Sequence, residues 1–588
     1  MGSRRVDDSA TAGDAGRKIG AWWVAVMAAG LLLLYWVCLP RHAERGAFYS
    51  GDQGIRLMQV EGMKLHGFGL FHNPNPRIDP DVEFVYDPAL RRARDRPVWM
   101  IPPFFALITL PVYAKFGTFG LYLLPALGAV LSVVALWRAG NAAGGTWYAG
   151  PIAAALFGLA SPALFYGGEF SEHAVATGLA VAGICCCIAA QNRWWDAACC
   201  GLLCAAAAAM RTECVVMLPA TVVLICFTVP RGRTMGKIVA LAAGAFALLG
   251  PLAALNVAWF GNPWGLHASG NVDRSALLGP ASMLGPLREV LVPPHAYQVA
   301  AIVGAVVFKL LGIALGASPT WRTIFNLAFA GALVCLAVAV LLPPAADKAL
   351  FVVAPWALCV LGPFGLDSGA GKRGSESAHR GGASRTLAGL VAASALYIVV
   401  VLLAAPGTGG SLWGPRFLLP GVALLALGAG LSVALTLKRL QGSVRAAMAV
   451  AFVALFLAGG YNAWRSLASL CSIKQQNAMM LSHLVQHTNE GDVIISDTWW
   501  LAQVSAILVY QRHFFIIPEG PEAEALVDKL LKRLRASGVT RIHYVTAIAG
   551  PSPLRSRIEA EATSVRSQTL VPYKQRMGTY VLVSEGPT

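Results

Sequence analysis

Residues that could perform acid–base chemistry lie beside apolar segments of this chain. Asp52 stands in the sequence Ser50-Gly51-Asp52-Gln53-Gly54, and Arg56 follows one helical turn later. A carboxylate in this position can accept a proton from a reacting hydroxyl group, which is the role of a general base. Aspartate is also a common helix N-cap, so a purely structural role for Asp52 is an open alternative.

Further ionisable residues occur at four other points, each at the end of an apolar segment. They are Glu172 with His173, Arg211 with Glu213, His267, and Arg416. A guanidinium group can bind phosphate through two parallel hydrogen bonds, so the two arginines are candidates for an anion site. As alternatives, the arginines could extend to membrane lipid headgroups, and Glu172 could cap a helix.

Glu172 and His173 are residue types that can ligate a divalent metal ion. Adjacent residues on a helix point about 100° apart, which makes it difficult for both to hold one ion. We therefore predict no metal ligands and no obligatory cofactor, and a bound divalent metal ion stays an open alternative. The sequence has neither a Gly-rich phosphate loop nor a dinucleotide-binding fingerprint, which favours a lipid phosphate over a nucleotide as the donor.

The elements that position these residues are predicted to be membrane spans. The chain is 56% hydrophobic and 13% charged, whereas soluble domains are about a quarter charged. Apolar stretches near the length of about 20 residues that crosses a bilayer recur along the sequence. The predicted spans are 21–39, 117–137, 147–166, 173–190, 194–210, 213–229, 238–258, 298–316, 324–342, 349–366, 386–405, 417–437 and 446–464. The Pro-rich segment 100–114 is predicted to be an interfacial or re-entrant helix.

Charge and cysteine content constrain the orientation and the partners. The formal net charge is +16, and Lys and Arg concentrate in alternate short loops, as they do in cytoplasmic loops of membrane proteins. We predict a cytoplasmic N-terminus and contacts with anionic membrane lipids rather than nucleic acid. Most of the 12 cysteines lie in apolar segments, and the region from 466 onward holds only Cys471, which excludes a disulfide within that region.

The predicted fold class is an α-helical polytopic membrane protein with about 13 transmembrane helices. Residues 1–20 form a cytoplasmic segment, 21–465 the transmembrane domain with a large first outer loop at 40–99, and 466–588 a small extracytoplasmic α/β domain. The strands predicted in this last domain are Val493–Ser496, His513–Ile517, Arg541–Val545 and Tyr580–Val583, with a helix at Glu522–Arg535.

In their order along the chain, these motifs resemble those of the GT-C superfamily of membrane glycosyltransferases. The similarity is to the branch that includes protein mannosyltransferases and the lipid A aminoarabinose transferase, and it extends over about residues 20–465. It is carried by Ser50–Gly54 with Leu57 and Gln59, Pro102–Phe105, Phe170–His173, Arg211–Glu213 and Trp413–Arg416, together with the plan of thirteen spans and an outer soluble domain.

The resemblance implies an inner-membrane enzyme that transfers a sugar, a hexose or a pentose. The donor would be a polyprenyl-phosphate-linked sugar, and the acceptor a lipid, glycan or protein outside the cytoplasm, with inversion at the anomeric carbon. It implies that Asp52 is the general base and that Arg211 and Arg416 hold the leaving phosphate. The implied substrate-binding residues are Arg56, Glu172, His173, Arg211, Glu213, His267 and Arg416.

Two features of the first loop leave alternatives open. Gln53 stands where the family often has a second acid, which argues against metal binding there, and Glu61, Asp79, Glu83 and Asp87 are further acids in the same loop. The alternative functions are a transporter or flippase, an O-antigen polymerase or ligase type of enzyme, and a non-enzymatic assembly protein. A transporter or flippase would be expected to have two matching halves of the chain, each with a helix broken by Gly or Pro, and the sequence lacks such a pair.

Overall fold

The structure is a computed structural model of the 588-residue chain. It describes residues 5–38, 46–84, 89–144, 146–189, 193–266, 284–315, 318–342, 348–362, 375–404, 414–517, 520, 522–546, 553–570 and 575–582. His267, Trp413 and Asp87 lie outside these residues. The basic Gly/Ser-rich stretch 367–385, for which the sequence predicts a flexible cytoplasmic linker, lies outside them up to 374, and its remainder belongs to the helix Ser375–Ala404.

The described chain is mostly α-helical, and most of its long helices are apolar. The helices are Arg5–Cys38, Gly51–His66, Phe104–Phe116, Thr118–Gly144, Ala149–Leu159, Ala163–Gly167, His173–Ala189, Trp194–Met210, Met217–Thr228, Arg231–Phe260, Ala296–Leu315, Pro319–Leu341, Leu350–Val353, Ser375–Ala404, Leu419–Arg439, Gly442–His487, Leu501–Val504, Ala523–Ala536 and Pro553–Glu561. Short 3₁₀ helices occur at Thr212–Val216, Pro355–Leu361, Arg416–Leu418 and Ala506–Leu508.

Eight helices in the described part of the chain are long and apolar enough to cross a membrane. They are Lys18–Cys38, Thr118–Ala143, Arg231–Phe260, Ala296–Leu315, Thr320–Leu341, Gly382–Ala404, Arg416–Arg439 and Gly442–His487. Each of the eight overlaps a predicted span, which makes the chain a multi-pass membrane protein. The full count of about thirteen spans stays a prediction.

The other five predicted spans correspond to shorter or broken helices. The segment 147–166 is interrupted between Leu159 and Ala163, where Pro162 has no N–H to continue the helical hydrogen-bond ladder. The segment 349–366 changes from an α-helix to a 3₁₀ helix at Pro355. Apolar composition predicts these segments, but it does not show where a proline divides them.

The chain forms two compact units. The first comprises residues 1–37, 124–256 and 262–468 and contains most of the apolar helices, and we call it the membrane unit. The second comprises residues 38–123, 257–261 and 469–588, and we call it the loop–tail unit. The first predicted outer loop and the C-terminal region therefore belong to one compact unit, whereas the sequence suggested two separate segments.

A five-stranded sheet forms the centre of the loop–tail unit. Its strands are β3 (Val493–Ser496), β4 (His513–Ile516), β5 (Arg541–Thr546), β6 (Ala562–Leu570) and β7 (Gln575–Leu582), in the order β4-β3-β5-β7-β6. Strand β3 is parallel to β4 and β5, whereas β7 is antiparallel to β5 and β6. The first loop adds a hairpin of β1 (Leu90–Ala93) and β2 (Arg96–Trp99). The sequence analysis had found all of the sheet strands except β6.

Residues of the first loop complete the core of this sheet. Ile78 and Phe84 are buried in one hydrophobic cluster with strand and helix residues of the C-terminal region. The backbone N–H of Ile516 donates to Phe84 O at 3.0 Å, and the Asn75 side chain donates to Phe514 O at 2.9 Å. The edge strand β4 is thus covered by the loop, which satisfies backbone groups that would otherwise be exposed.

Candidate functional site

The Asp52 helix, Gly51–His66, begins with a capping box that does not use Asp52. Ser50 is the N-cap residue with extended backbone angles. Its backbone N–H and its hydroxyl both donate to Gln53 Oε1 at 2.8 Å. This pairing of positions N-cap and N3 satisfies groups that the helix start leaves open. The N-cap interpretation of Asp52 is therefore wrong, because Ser50 occupies that position.

The two glycines beside Asp52 allow another segment to approach the helix start closely. A Cβ atom on Gly51 would lie 1.6 Å from Gln503 Oε1, and one on Gly54 would lie 1.7 Å from Gln503 O. Gln503 itself is 2% exposed. Sequence analysis missed Gln503, which lies about 450 residues further along the chain and carries no motif of its own. These contacts fix the first turn, and with it the position of the partly exposed Asp52.

The other charged groups of the first loop are held by internal contacts. Arg56 is buried and its Nη1 donates to the backbone oxygen of Asp52 at 2.5 Å. Glu61 accepts a hydrogen bond from the Tyr113 hydroxyl. The Asp79 carboxylate is fully buried and accepts the backbone N–H groups of Glu83 and Phe84, each at 2.9 Å. Burial raises the pKa of Asp79 despite these hydrogen bonds.

In the membrane unit, Arg211 forms a buried ion cluster with two carboxylates. Its Nη1 donates to Glu172 Oε1 at 2.7 Å, and its Nε donates to Glu213 Oε1 at 2.7 Å. Its Nη2 lies 2.7 Å from the same Glu213 oxygen, but it is not aligned for a hydrogen bond and has no hydrogen-bond acceptor among the described residues. Buried donors are normally paired, because an unpaired one costs about 1–3 kcal/mol.

The cluster is built from the ends of two helices. Arg211 follows the helix Trp194–Met210 in an extended conformation, which turns its side chain away from the helical path. The backbone oxygen of Glu172 accepts the N–H of Ala176 and so begins the helix His173–Ala189. Its carboxylate binds Arg211 through Oε1.

Phe417 brings the two predicted anion-binding arginines together. The guanidinium carbon of Arg211 is 5.2 Å from the centroid of the Phe417 ring, and that of Arg416 is 5.0 Å from it. The His173 ring lies 6.3 Å from the Phe417 ring and 5.2 Å from the Tyr166 ring. Arginines readily stack on aromatic rings while keeping their N–H donors for an anion.

A tight corner holds Arg416 and Phe417 in place. Gly414 has a φ of +68°, which favours glycine, and a Cβ atom there would lie 3.1 Å from Pro162 Cγ. Glycine therefore suits both the backbone conformation and the close packing at this position. The backbone N–H of Arg416 donates to Gly414 O at 3.0 Å. The hydroxyl of Tyr397 donates to Phe417 O at 2.9 Å. The corner is therefore fixed from both sides.

The structure groups some of the predicted site residues and separates others. Glu172, His173, Arg211, Glu213 and Arg416 lie around Phe417 in the membrane unit. Asp52 and Arg56 belong to the loop–tail unit, and His267 lies outside the described residues. Sequence reasoning missed Phe417, although it directly follows Arg416 in a motif that was quoted.

The described residues contain no group of three His, Cys, Asp or Glu side chains arranged to hold a metal ion. Glu172 is engaged with Arg211, and His173 stacks near aromatic rings.

No model of a known protein family matches the chain, and no curated protein sequence matches it significantly. Among solved structures, the chain is similar to the archaeal oligosaccharyltransferase AglB from Archaeoglobus fulgidus in complex with an inhibitory peptide and a dolichol-phosphate. The identity is 13%, the TM-score is 0.49, and the match covers 92% of this chain and 73% of that one.

Two further solved structures are similar over nearly the whole chain. ArnT from Cupriavidus metallidurans in the apo state is 12% identical with a TM-score of 0.46, and 97% of this chain matches 99% of that one. The arabinofuranosyltransferase AftD from Mycobacteria is 16% identical with a TM-score of 0.46, and 95% of this chain matches 40% of that one. All three are GT-C membrane glycosyltransferases, the family that the sequence resembles. At these identities and TM-scores the likeness does not establish an activity for this chain.

Proposed function

We propose that this protein is a membrane glycosyltransferase that moves a sugar from a polyprenyl-phosphate carrier to an acceptor outside the cytoplasm. The observation that carries the proposal is the arginine pair at Phe417, in which Arg211 has a buried Nη2 without a hydrogen-bond acceptor among the described residues. A phosphate oxygen is a suitable acceptor for that donor. Arg416, stacked on the same ring, adds the positive charge that a phosphate needs.

The two carboxylates determine how the arginines share this role. The two charges of Glu172 and Glu213 outweigh that of Arg211 and fix its orientation, so its contribution is a directed hydrogen bond. Arg416 stacks on the Phe417 ring beside this cluster, and we assign it the main electrostatic contact with the leaving phosphate. Charge at the leaving oxygen increases in the transition state, so a fixed cation there lowers the barrier.

Asp52 is proposed as the general base. The acceptor hydroxyl oxygen would form a bond to the anomeric carbon while the bond from that carbon to the phosphate oxygen breaks. The hydroxyl proton would pass to the Asp52 carboxylate, and the carrier phosphate would leave with the electron pair. Ser50 and Gln53 already cap the helix, so the Asp52 carboxylate is not required for that purpose.

The test compares two neighbouring variants in purified, detergent-solubilised protein. Asp52→Asn keeps the size of the side chain and removes the base, and we expect transfer to fall by at least about a hundredfold while the melting temperature is unchanged. Ser50→Ala is the matched control. It removes the cap at a cost of about 0.5–2 kcal/mol and leaves Asp52 in place, so it should lower stability and retain transfer.

Products are identified first by mass spectrometry of glycolipids and envelope glycans from cells with and without the protein. Transfer is then followed as release of the carrier phosphate. Near-normal transfer by a folded Asp52→Asn protein would exclude Asp52 as the base. Equal glycan profiles with and without the protein would remove support for the glycosyltransferase assignment itself.

A further inference from the structure

Two cysteines that are far apart in sequence meet in the loop–tail unit. Cys38 is the last residue of the helix Arg5–Cys38, and Cys471 lies in the helix Gly442–His487. They are 433 positions apart, and Cys471 Sγ lies 3.8 Å from Cys38 O. Both residues are partly exposed, so a reagent or an enzyme could reach them.

The pairing is distinctive because both residues are isolated in the sequence. All other cysteines of the chain lie between Cys185 and Cys359, in or beside the apolar helices of the membrane unit. Cys38 is the only cysteine before Cys185, and Cys471 is the only one after Cys359. Both residues lie in long apolar helices, but their contact does not arise from a cluster of cysteines in the sequence.

The surroundings of the pair favour thiol chemistry. Lys474 lies one helical turn from Cys471, is 1% exposed, and acts electrostatically on Cys38. Its Nζ is 4.3 Å from the centroid of the Tyr122 ring, which holds the cation in place. The thiolate is the reactive form of cysteine, and a neighbouring ammonium group stabilises it.

We propose that Cys38 and Cys471 form a disulfide in the mature protein, which links the end of the first long helix to the helix Gly442–His487. In this step each thiol loses a proton, and the two sulfurs together give up two electrons. A protein disulfide of the thiol oxidase class accepts these two electrons and two protons and becomes a dithiol. The proposal rests on the outward orientation of this region in the proposed function, because disulfides persist in oxidising compartments.

The experiment maps disulfides in protein from cells that are quenched in acid and treated with an alkylating reagent before lysis. Digestion without reductant should give a peptide pair linked through Cys38 and Cys471. The internal control is Cys187 and Cys200, which are buried in the apolar helices His173–Ala189 and Trp194–Met210. We expect these two to be alkylated and unlinked.

Full alkylation of Cys38 and Cys471 without reductant would overturn the proposal. A Cys187–Cys200 link of equal abundance, or a link from either residue to a second molecule, would overturn it as well, because each points to adventitious oxidation. As a second measurement, the Cys38→Ser/Cys471→Ser variant should melt several degrees below the untreated protein. Reductant should lower the melting temperature of the native protein to that of the variant and leave the variant unchanged.

Glycosyl transfer serves as the independent readout. The double serine variant should retain transfer at a temperature well below its melting point, since neither cysteine has a role in the proposed reaction. A mapped disulfide in a protein without transfer activity would refute the proposed function alone. Transfer activity in a protein with both thiols alkylated would refute only the disulfide.

Discussion

The two units each contain a cluster of ion pairs, and the clusters differ in their access to water. In the membrane unit, the side chains of Glu172 and Arg211 are 2% and 6% exposed. In the loop–tail unit, Arg533 pairs with Asp81 and Glu83, and Lys529 also pairs with Glu83, with exposures from 25% to 64%. The same residue types therefore occur in one buried cluster and in one largely exposed cluster, in which only Asp79, 3.4 Å from Arg533, is fully buried.

The difference in burial predicts a difference in energetic consequence. Water and salt screen an exposed pair, and such pairs typically contribute about 0–1 kcal/mol. A buried pair has lost its hydration, so removal of one partner leaves a charge that nothing compensates. The residue types alone would not distinguish the two clusters, whereas their burial does.

The largest effect is expected from Arg211→Met, which leaves Glu172 and Glu213 buried without their cation. The expected loss of stability is about 3–5 kcal/mol, measured as reduced melting temperature and yield in detergent. The matched control is the triple variant Glu172→Gln/Arg211→Met/Glu213→Gln, which removes every charge of the cluster and should recover much of that stability. If the single and triple variants were equally unstable, the cluster would stabilise the protein through the packing of its side chains rather than through their charges.

A smaller effect is expected from Arg416→Lys, which keeps the charge but loses the planar pair of donors. Loss of one charge-assisted hydrogen bond to the phosphate, about 1.5–3 kcal/mol, corresponds to a fall in transfer of about 10–100-fold with little change in stability.

The matched control is Arg465→Lys, because Arg465 also stacks on an aromatic ring, that of Tyr461, at 5.6 Å. This variant should leave transfer unchanged. Equal turnover and donor affinity in Arg416→Lys and the native protein would reduce Arg416 to an interfacial anchor.

The smallest effect is expected from Lys529→Ala in the solvated cluster. We expect a loss of about 0.2–1 kcal/mol at neutral pH that shrinks as salt is added. The hydrogen bond from Lys529 lowers the pKa of Glu83. A lowered folded-state pKa stabilises the protein above the unfolded-state value and ceases to do so as the pH falls through the folded-state value. The difference between variant and native melting temperatures should therefore vanish in acid, and a difference that grew in acid would contradict this assignment.

Parts of the candidate site could be predicted from the sequence and others could not. The residues Glu172, Arg211, Glu213 and Arg416 were found from their types and from the motifs around them, and the structure brings them together. Their partnership is different from the prediction, since Glu172 and Glu213 bind Arg211. A motif shows which residues are charged, but the pairing of those charges depends on which helix ends meet.

The start of the Asp52 helix shows the same limit. Asp52 between two glycines allowed a helix start to be predicted, with Asp52 as the possible N-cap, although Ser50 is an equally suitable residue type. The structure assigns the cap to Ser50. The local sequence does not show why positions 51 and 54 need glycine. The structure does, because Gln503 approaches Gly51 and Gly54 to a distance that excludes any Cβ atom.

The sequence by itself determined the class of the molecule and the positions of most of its elements, because hydrophobicity and periodicity act over a few neighbouring residues. Eight long apolar helices, four of the five sheet strands and the helix Ala523–Ala536 follow from such local patterns. Only the tertiary structure decided that the first loop completes the C-terminal sheet and that Cys38 meets Cys471. These contacts join residues hundreds of positions apart, and they depend on how complete surfaces fit together, which no local pattern encodes.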